Sequence, residues 1–209
     1  MKKLKEEVRN AIVKAAFEEF SEHGYLEASM RRISAAAQIS TGNIYRYFSG
    51  KEELFDHIIG SVYAKYSTYT KEYLQTVDLY SNQDETAIVA FLEQVSTTYV
   101  TLLKTTGPRL RLMMCKSQGS KYEGLKLEMI EFTEKLLLQT FSLAKPIEQL
   151  SQFELAEIKV LATTLIDGLV FIIDQYEEHE IFSFLIDRLI SIHSIGISNR
   201  LEELKQSRR

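Results

Sequence analysis

Residues 29–55 read S-M-R-R-I-S-A-A-A-Q-I-S-T-G-N-I-Y-R-Y-F-S-G-K-E-E-L-F, and their punctuation decides the fold. Ser29 stands where an N-cap opens a short helix over 30–37, because its hydroxyl oxygen can accept a backbone N–H left free at a helix start. Gln38 and Ile39 make a tight turn, and Ser40 is a second N-cap for a helix running to Phe48. Ile33 followed by Ser34, Ala35, Ala36 and Ala37 leaves room for two helices to cross closely. Ile44 and Phe48 lie four residues apart, so both point inward from one face. Two short helices about a tight turn form a helix-turn-helix, in which the N-terminal edge of the second helix enters the DNA major groove.

That edge is polar: Ser40, Thr41, Gly42 and Asn43. Gly42 lets the helix start approach a base edge or a backbone. Thr41, Asn43 and Arg46 suit base edges, since Asn pairs bidentately with adenine and Arg with guanine. Tyr45, Tyr47 and Lys51 suit phosphate oxygens, which position a protein without reading sequence. Arg31 reaches either, and the N-caps Ser29 and Ser40 sit at positive helix ends that favour phosphate. An ordinary helical hairpin would leave this polar edge and the paired caps without a purpose.

Outward from the motif the chain reads as helix throughout. Val8, Ile12, Ala16 and Phe20 recur every four residues in a first helix over 5–22, with Gly24 as its stop. Ser49 and Glu52 have the spacing of a capping box that opens a long helix into the 63–73 region. Further helices follow over 85–104, 108–116, 122–141, 152–176 and 181–204, punctuated by Gly107-Pro108, Gly119-Ser120, Lys145-Pro146 and Glu177-Glu178-His179-Glu180. Ser151 and Glu154 make a second capping box. The fold class is all-α with about nine helices. It divides into a helix-turn-helix domain over 1–50 and a helical body over 51–209, which the resemblance described below implies is for effector binding and dimerisation.

Composition narrows the function. The chain has 209 residues, 45% apolar and 26% charged, with two prolines and one cysteine, which is the profile of a globular domain. Cys115 alone excludes an internal disulfide or a CxxC pair and reads most simply as a small apolar residue. No apolar run approaches the roughly 18 residues of a membrane span, and no signal-peptide core follows the N-terminal Met-Lys-Lys-Leu-Lys. A cytoplasmic protein with no membrane partner is expected. The net charge is −4, yet residues 1–51 carry nine basic and six acidic side chains, net +3, leaving sixteen basic and twenty-three acidic, net −7, in the rest. A small basic module on an acidic body binds DNA locally without coating it. No catalytic dyad, Glu-x-x-His pair or phosphate loop is present, so an enzyme, a cofactor and a metal are not expected.

At these residues the sequence resembles the TetR family of bacterial transcription regulators. Ser29, Arg31 and Ile33 match the first part of the family's signature. Ala37, Ile39, Ser40, Gly42, Ile44, Tyr45, Tyr47, Phe48 and Lys51 match the second. Gln38 departs from it where the family has a turn glycine, and Ser34 replaces a small alanine. The resemblance implies an all-helical homodimer that binds a palindromic operator. Its body would take a small molecule, and its last two helices would pack against their twofold mates. Repression is the family's default.

Under that resemblance the body offers two sets of candidates. Aromatic and thioether side chains (Tyr63, Tyr66, Phe91, Tyr99, Met113, Met114, Phe132, Phe171) suit a pocket for a lipophilic or aromatic effector, although each also reads as plain core. Leu161, Leu165 and Leu169, with Leu185, Leu189 and Ile192, belong to stripes too broad for one inward face, and are the candidate dimer interface. A DNA-binding structural protein of the same fold, with a filled body and no effector, is the alternative.

Overall fold

The computed structural model describes residues 2–80, 94, 97–98 and 100–206. Among these, every regular element is helical: α1 (Lys2–Glu27), α2 (Met30–Ala36), α3 (Thr41–Ile44), α4 (Lys51–Tyr80), α5 (Pro108–Cys115), α6 (Leu125–Ser142), a 3-10 turn (Ile147–Gln149), α7 (Gln152–Gln175) and α8 (His179–Gln206), with a further helical stretch over 100–106. Residues 81–93, Phe91 among them, lie outside the described residues, and so does Tyr99.

Two compact units divide the chain. One, the head, is Met1–Ser67 with Thr106–Gly124, so it extends beyond residue 50 and takes in the first half of α4 and all of α5. The other, the body, is Thr68–Thr105 with Leu125–Arg209.

The head forms around the stripe of α1. Ile12, Ala16 and Phe20 are fully buried, as four-residue spacing requires. Gly24 adopts φ 71 and ψ 169 and breaks the helix there, a left-handed φ open to glycine at no steric cost. The break frees the Tyr25 N–H, which donates to the Lys116 carbonyl at 2.8 Å and ties the end of α1 to the residue after α5. The rings of Phe20 and Tyr25 then close on Phe55 of α4, with centroids 4.8 and 4.9 Å away. Asp56 fastens the loop after α5, taking Lys121 Nζ at 2.7 Å and the Tyr122 hydroxyl. The Lys121 ammonium and then the Tyr122 bond hold the Asp56 carboxyl below its usual range. Burial, with Asp56 behind it, pushes the Tyr122 phenol up to about 12.

Three local readings change. The second helix of the motif, expected to reach Phe48, ends at Ile44, and Tyr45–Tyr47 continue as a turn. Phe48, only 1% exposed, is drawn into the core beside Ile44, and both the Tyr47 and Phe48 N–H groups close on the Ile44 carbonyl. The expected partner of Ser49 was Glu52, but α4 starts at Lys51, so Glu53 is the residue that reaches back and accepts the Ser49 N–H at 2.6 Å. Ser29 sits at the N-cap of α2, but its side chain makes no capping bond.

The body packs α6, α7 and α8 around Leu137, Phe141, Ala144, Leu150, Ile158, Ala162 and Leu204. The second capping box forms as read: Ser151 Oγ accepts the Glu154 N–H and Glu154 accepts the Ser151 N–H. Lys145 Nζ adds bonds to both Glu154 oxygens, at 2.9 and 2.7 Å. Lys145 first, then the Ser151 N–H, hold this buried carboxyl down to about 2. A folded-state value below the ordinary 4.5 means stability that is complete above pH 4.5 and disappears as pH falls toward 2. Glu154→Gln keeps the cap but loses the charge. We expect it to cost about 2 kcal/mol at pH 7 and nothing at pH 2, read as the difference between urea midpoints of the two proteins across that range.

Candidate functional site

The recognition motif is anchored by a carboxylate that sequence reading did not single out. Glu19, on α1 and only 9% exposed, directs Oε1 at three donors. The Ser29 N–H and Arg32 Nε reach it at 2.8 Å, and Arg32 NH2 at 2.6 Å. Arg32 NH2 also donates to the Glu27 carbonyl at 2.6 Å. Burial raises the Glu19 carboxyl, but the Arg32 bond and the Ser29 N–H outweigh it and leave it below its ordinary value. Glu19 thus accepts the N-cap N–H itself, the bond that the Glu of a capping box would make, while the Ser29 hydroxyl makes no capping bond. The signal was available in the Arg31-Arg32 pair, since one of two adjacent arginines on a helix can face outward while the other turns back.

The two helices of the motif are locked by hydroxyls. Ser34 Oγ donates its proton to the Arg31 carbonyl at 2.8 Å, so the 2.9 Å contact with Thr41 Oγ1 is a donation from Thr41. Thr41 is therefore held at the crossing of α2 and α3 and is half-buried. The Ser34 that departs from the family pattern is one half of this lock. Ser40 Oγ caps the Asn43 N–H at 3.3 Å, as read from the sequence. Gln38 takes φ 56, the one left-handed non-glycine among the described residues, which costs on the order of 1 kcal/mol. The turn keeps the geometry that a glycine there would have, and its Ile39 N–H closes on the Ser34 carbonyl at 3.0 Å.

Of the other candidates, Arg31, Gly42, Tyr45 and Arg46 are exposed, Tyr45 to 52%. A Cβ on Gly42 would meet nothing within 4 Å, so this start of α3 is open to a partner. Asn43 and Tyr47 are half-buried beside it. Lys51 is placed differently. Its ammonium donates to the carbonyls of Leu26 at 2.9 Å and Ala28 at 3.2 Å, and it lies 4.6 Å from the centre of the Tyr25 ring. It closes the carbonyl end of α1, where a cation is favoured. Arg9, not among the candidates, lies over the Phe48 ring at 5.3 Å and contacts His57 Nδ1 at 3.4 Å.

The body holds a cavity of about 100 Å3. Met129, Phe132, Thr133 and Leu136 of α6 line it, with Leu165, Ile166 and Leu169 of α7, Ile190 of α8, and Val100 and Leu103. Phe132 is the one described member of the candidate pocket that lines it. Tyr63 and Tyr66 belong to the head through α4, where Tyr63 packs on Tyr122 with centroids 5.0 Å apart. Met113 and Met114 are buried in α5 of the head. Phe171 is 59% exposed. Sequence composition clustered these residues, but the compact units separate them.

The candidate dimer residues are likewise redistributed. Leu165 and Leu169 line the cavity, and Leu161 packs against the core of the body. Leu189 is close to Gly168, where an added Cβ would come within 2.9 Å of it. Leu185 is half-buried, and Ile192 is 67% exposed. The outward apolar residues of these two helices are Phe153, Leu155, Val160 and Phe171 on α7 and Ile181, Phe184, Ile192 and Ile195 on α8. On α7, Val160 and Phe171 are out of register with the leucines by part of a turn, a distinction that broad stripes on an apolar helix cannot make, whereas on α8 Ile192 is itself one of the candidates and shares a face with Leu185 seven residues before it. Such an outward face makes α8 long and apolar enough, by length and composition, to cross a membrane.

A helix-turn-helix pinned to a supporting helix gives the head the form of a DNA-recognition domain. Residues 12–58 match the model of "Bacterial regulatory proteins, tetR family". Over 52 residues, 25% of this chain, the sequence is 44% identical to the HTH-type transcriptional regulator HbdR of Aromatoleum sp. (strain CIB), covering 23% of that protein. Over 70 residues, 34% of this chain, it is 34% identical to the uncharacterized HTH-type transcriptional regulator YhgD of Bacillus subtilis (strain 168), covering 33% of it. The chain thus spans about a quarter to a third of the length of these curated relatives. A solved structure described as "Molecular basis for control of antibiotic production by a bacterial hormones" shares the fold across 90% of this chain and 95% of its own, with a TM-score of 0.50 and 14% identity. The likeness to the tetR family of bacterial regulatory proteins lies in the head, over residues 12–58.

The placement of Lys51 separates support from contact. Lys51→Ala leaves two carbonyls at the end of α1 without their donor. We expect it to cost about 1–2 kcal/mol of stability, measured by urea unfolding without DNA, whereas Arg46→Ala, at an exposed site, should stay within about 0.5 kcal/mol.

Proposed function

We propose that this chain is a ligand-responsive DNA-binding transcriptional regulator, a cytoplasmic repressor that binds a palindromic operator as a homodimer and is released by a small lipophilic or aromatic effector. The observation that carries the reading is the open start of α3. Gly42, Tyr45 and Arg46 are exposed beside half-buried Asn43, on a motif held from behind by Glu19, Arg32, Ser34 and Thr41. Arg46 and Asn43 read base edges, while Tyr45, Tyr47 and Arg31 take phosphates. Ser29, Thr41 and Lys51 act one step back, fixing the angle at which the others reach the groove, and Ser40 does so through its cap.

The dimer is the second element of the proposal. The outward face of Val160, Phe171, Phe184, Ile192 and Ile195 needs a cover, and a second copy of α7 and α8 related by a twofold supplies one in which each patch meets its own counterpart. That arrangement would present two heads to half-sites about 34–36 Å apart, or a multiple of that repeat. The cavity favours an effector-binding body over the filled body of a purely structural DNA-binding protein. Ligand and operator would be coupled by about 1–3 kcal/mol.

Arg46→Ala and Tyr45→Ala test the docking. Each should weaken binding to a selected duplex, Arg46→Ala by about 1–3 kcal/mol with relaxed sequence preference, and Tyr45→Ala more evenly across sequences. Sedimentation should find both variants still dimeric. Unchanged affinity by fluorescence anisotropy in both would remove α3 from the interface.

A further inference from the structure

The cavity of the body has a chemistry more specific than its apolar walls. Resting on the proposed role of the body as the effector domain, we propose that it binds a small uncharged lipophile carrying one hydrogen-bond donor, a phenol or a short alcohol, with the donor on Thr133 Oγ1.

Thr133 is the one side chain with a hydrogen-bonding hydroxyl, amide or charge among the described lining residues, and it is only 9% exposed. Its single proton is committed, since Oγ1 donates to the Met129 carbonyl one turn back at 2.8 Å. A threonine hydroxyl has one donor and two acceptor lone pairs. What remains to Thr133 is therefore acceptor capacity alone. A ligand hydroxyl can use it, whereas a ketone, an ether or a nitrile brings a second acceptor. A carboxylate fares worse, because no described lining residue is cationic and burying an unpaired charge is prohibitive.

Size follows from the volume. An apolar cavity of about 150 Å3 accepts benzene, so about 100 Å3 takes a ligand of that order with a modest shift of the walls. Met129, unbranched and with three rotatable bonds, is the lining side chain most able to yield. The remaining lining (Phe132, Leu165, Ile166 and Leu169 among it) gives an aromatic ring or short alkyl chain its contacts.

Phenol and toluene are nearly the same shape and differ in the donor, which makes them the deciding probes. A wholly apolar cavity takes toluene and rejects phenol, because the hydroxyl loses its water with nothing in return. The full-length protein should bind phenol in titration calorimetry, and benzoate should give no heat. Thr133→Val keeps the shape and removes the acceptor. It should lose at least tenfold in phenol affinity while toluene binding is unchanged or improved, and Thr133→Ser should retain phenol. Rejection of phenol by the wild type, equal phenol affinity in Thr133→Val, or binding of benzoate would each overturn the assignment. Operator binding without ligand, measured on the same preparation, keeps the two readings apart. A protein that binds DNA but not phenol refutes the ligand chemistry alone. One that binds phenol but no duplex refutes the regulator and leaves the ligand chemistry standing.

Discussion

The head depends on one buried carboxylate. Glu19 brings α1, the Ser29 amide at the N-cap of α2 and the Arg32 guanidinium to a single oxygen. Removing it would leave the Ser29 N–H without its acceptor and release the Arg32 guanidinium, itself 50% exposed, into water. Because the acceptor lies ten residues before Ser29, it fixes the angle between α1 and α2, which no local cap could do. The motif's short second helix has only four residues to define its own direction. Its orientation comes from this anchor, from the Ser34–Thr41 pair and from the burial of Ile44 and Phe48.

The same logic connects the motif to the segment after α5. Gly24 breaks α1, and the freed Tyr25 amide finds Lys116. Gly119, at φ 81, brings its backbone against Leu26, where an added Cβ would be 2.8 Å from the leucine methyl. Lys51 closes the carbonyl end of α1, while Asp56 holds Lys121 and Tyr122. A segment more than fifty residues beyond the motif is thereby part of the head's own core. Its Lys116 carbonyl is fixed to the end of α1, and its Lys121 ammonium and Tyr122 phenol to Asp56 of α4.

The sequence was most legible where periodicity and caps agree. The α1 stripe, the Ser40 cap and the Ser151–Glu154 box all formed where they were read. It was least legible where a partner is distant along the chain. Ser29 looked like a cap because serine is a good one, yet its hydroxyl makes no capping bond and its own N–H is held by a carboxylate across the fold. Lys51 looked like a phosphate ligand because it is basic and follows the motif, yet two carbonyls over twenty residues earlier hold its ammonium. The described members of the aromatic set are dispersed for a related reason. Tyr63, Tyr66, Met113 and Met114 are core of the head, and Phe171 is exposed. On α7, which is apolar nearly all round, composition cannot separate inward Leu165 and Leu169 from outward Val160 and Phe171.

Under the proposed function, paired copies of this head read DNA through the exposed start of α3. Selection of bound duplexes from random DNA by the full-length protein tests it most directly. The account predicts enrichment of an inverted repeat whose half-site centres lie about 34–36 Å apart, or a multiple of that repeat. It also predicts affinity that falls steeply with salt. Recovery of no preferred sequence, or of one asymmetric site bound by a single copy, would contradict it.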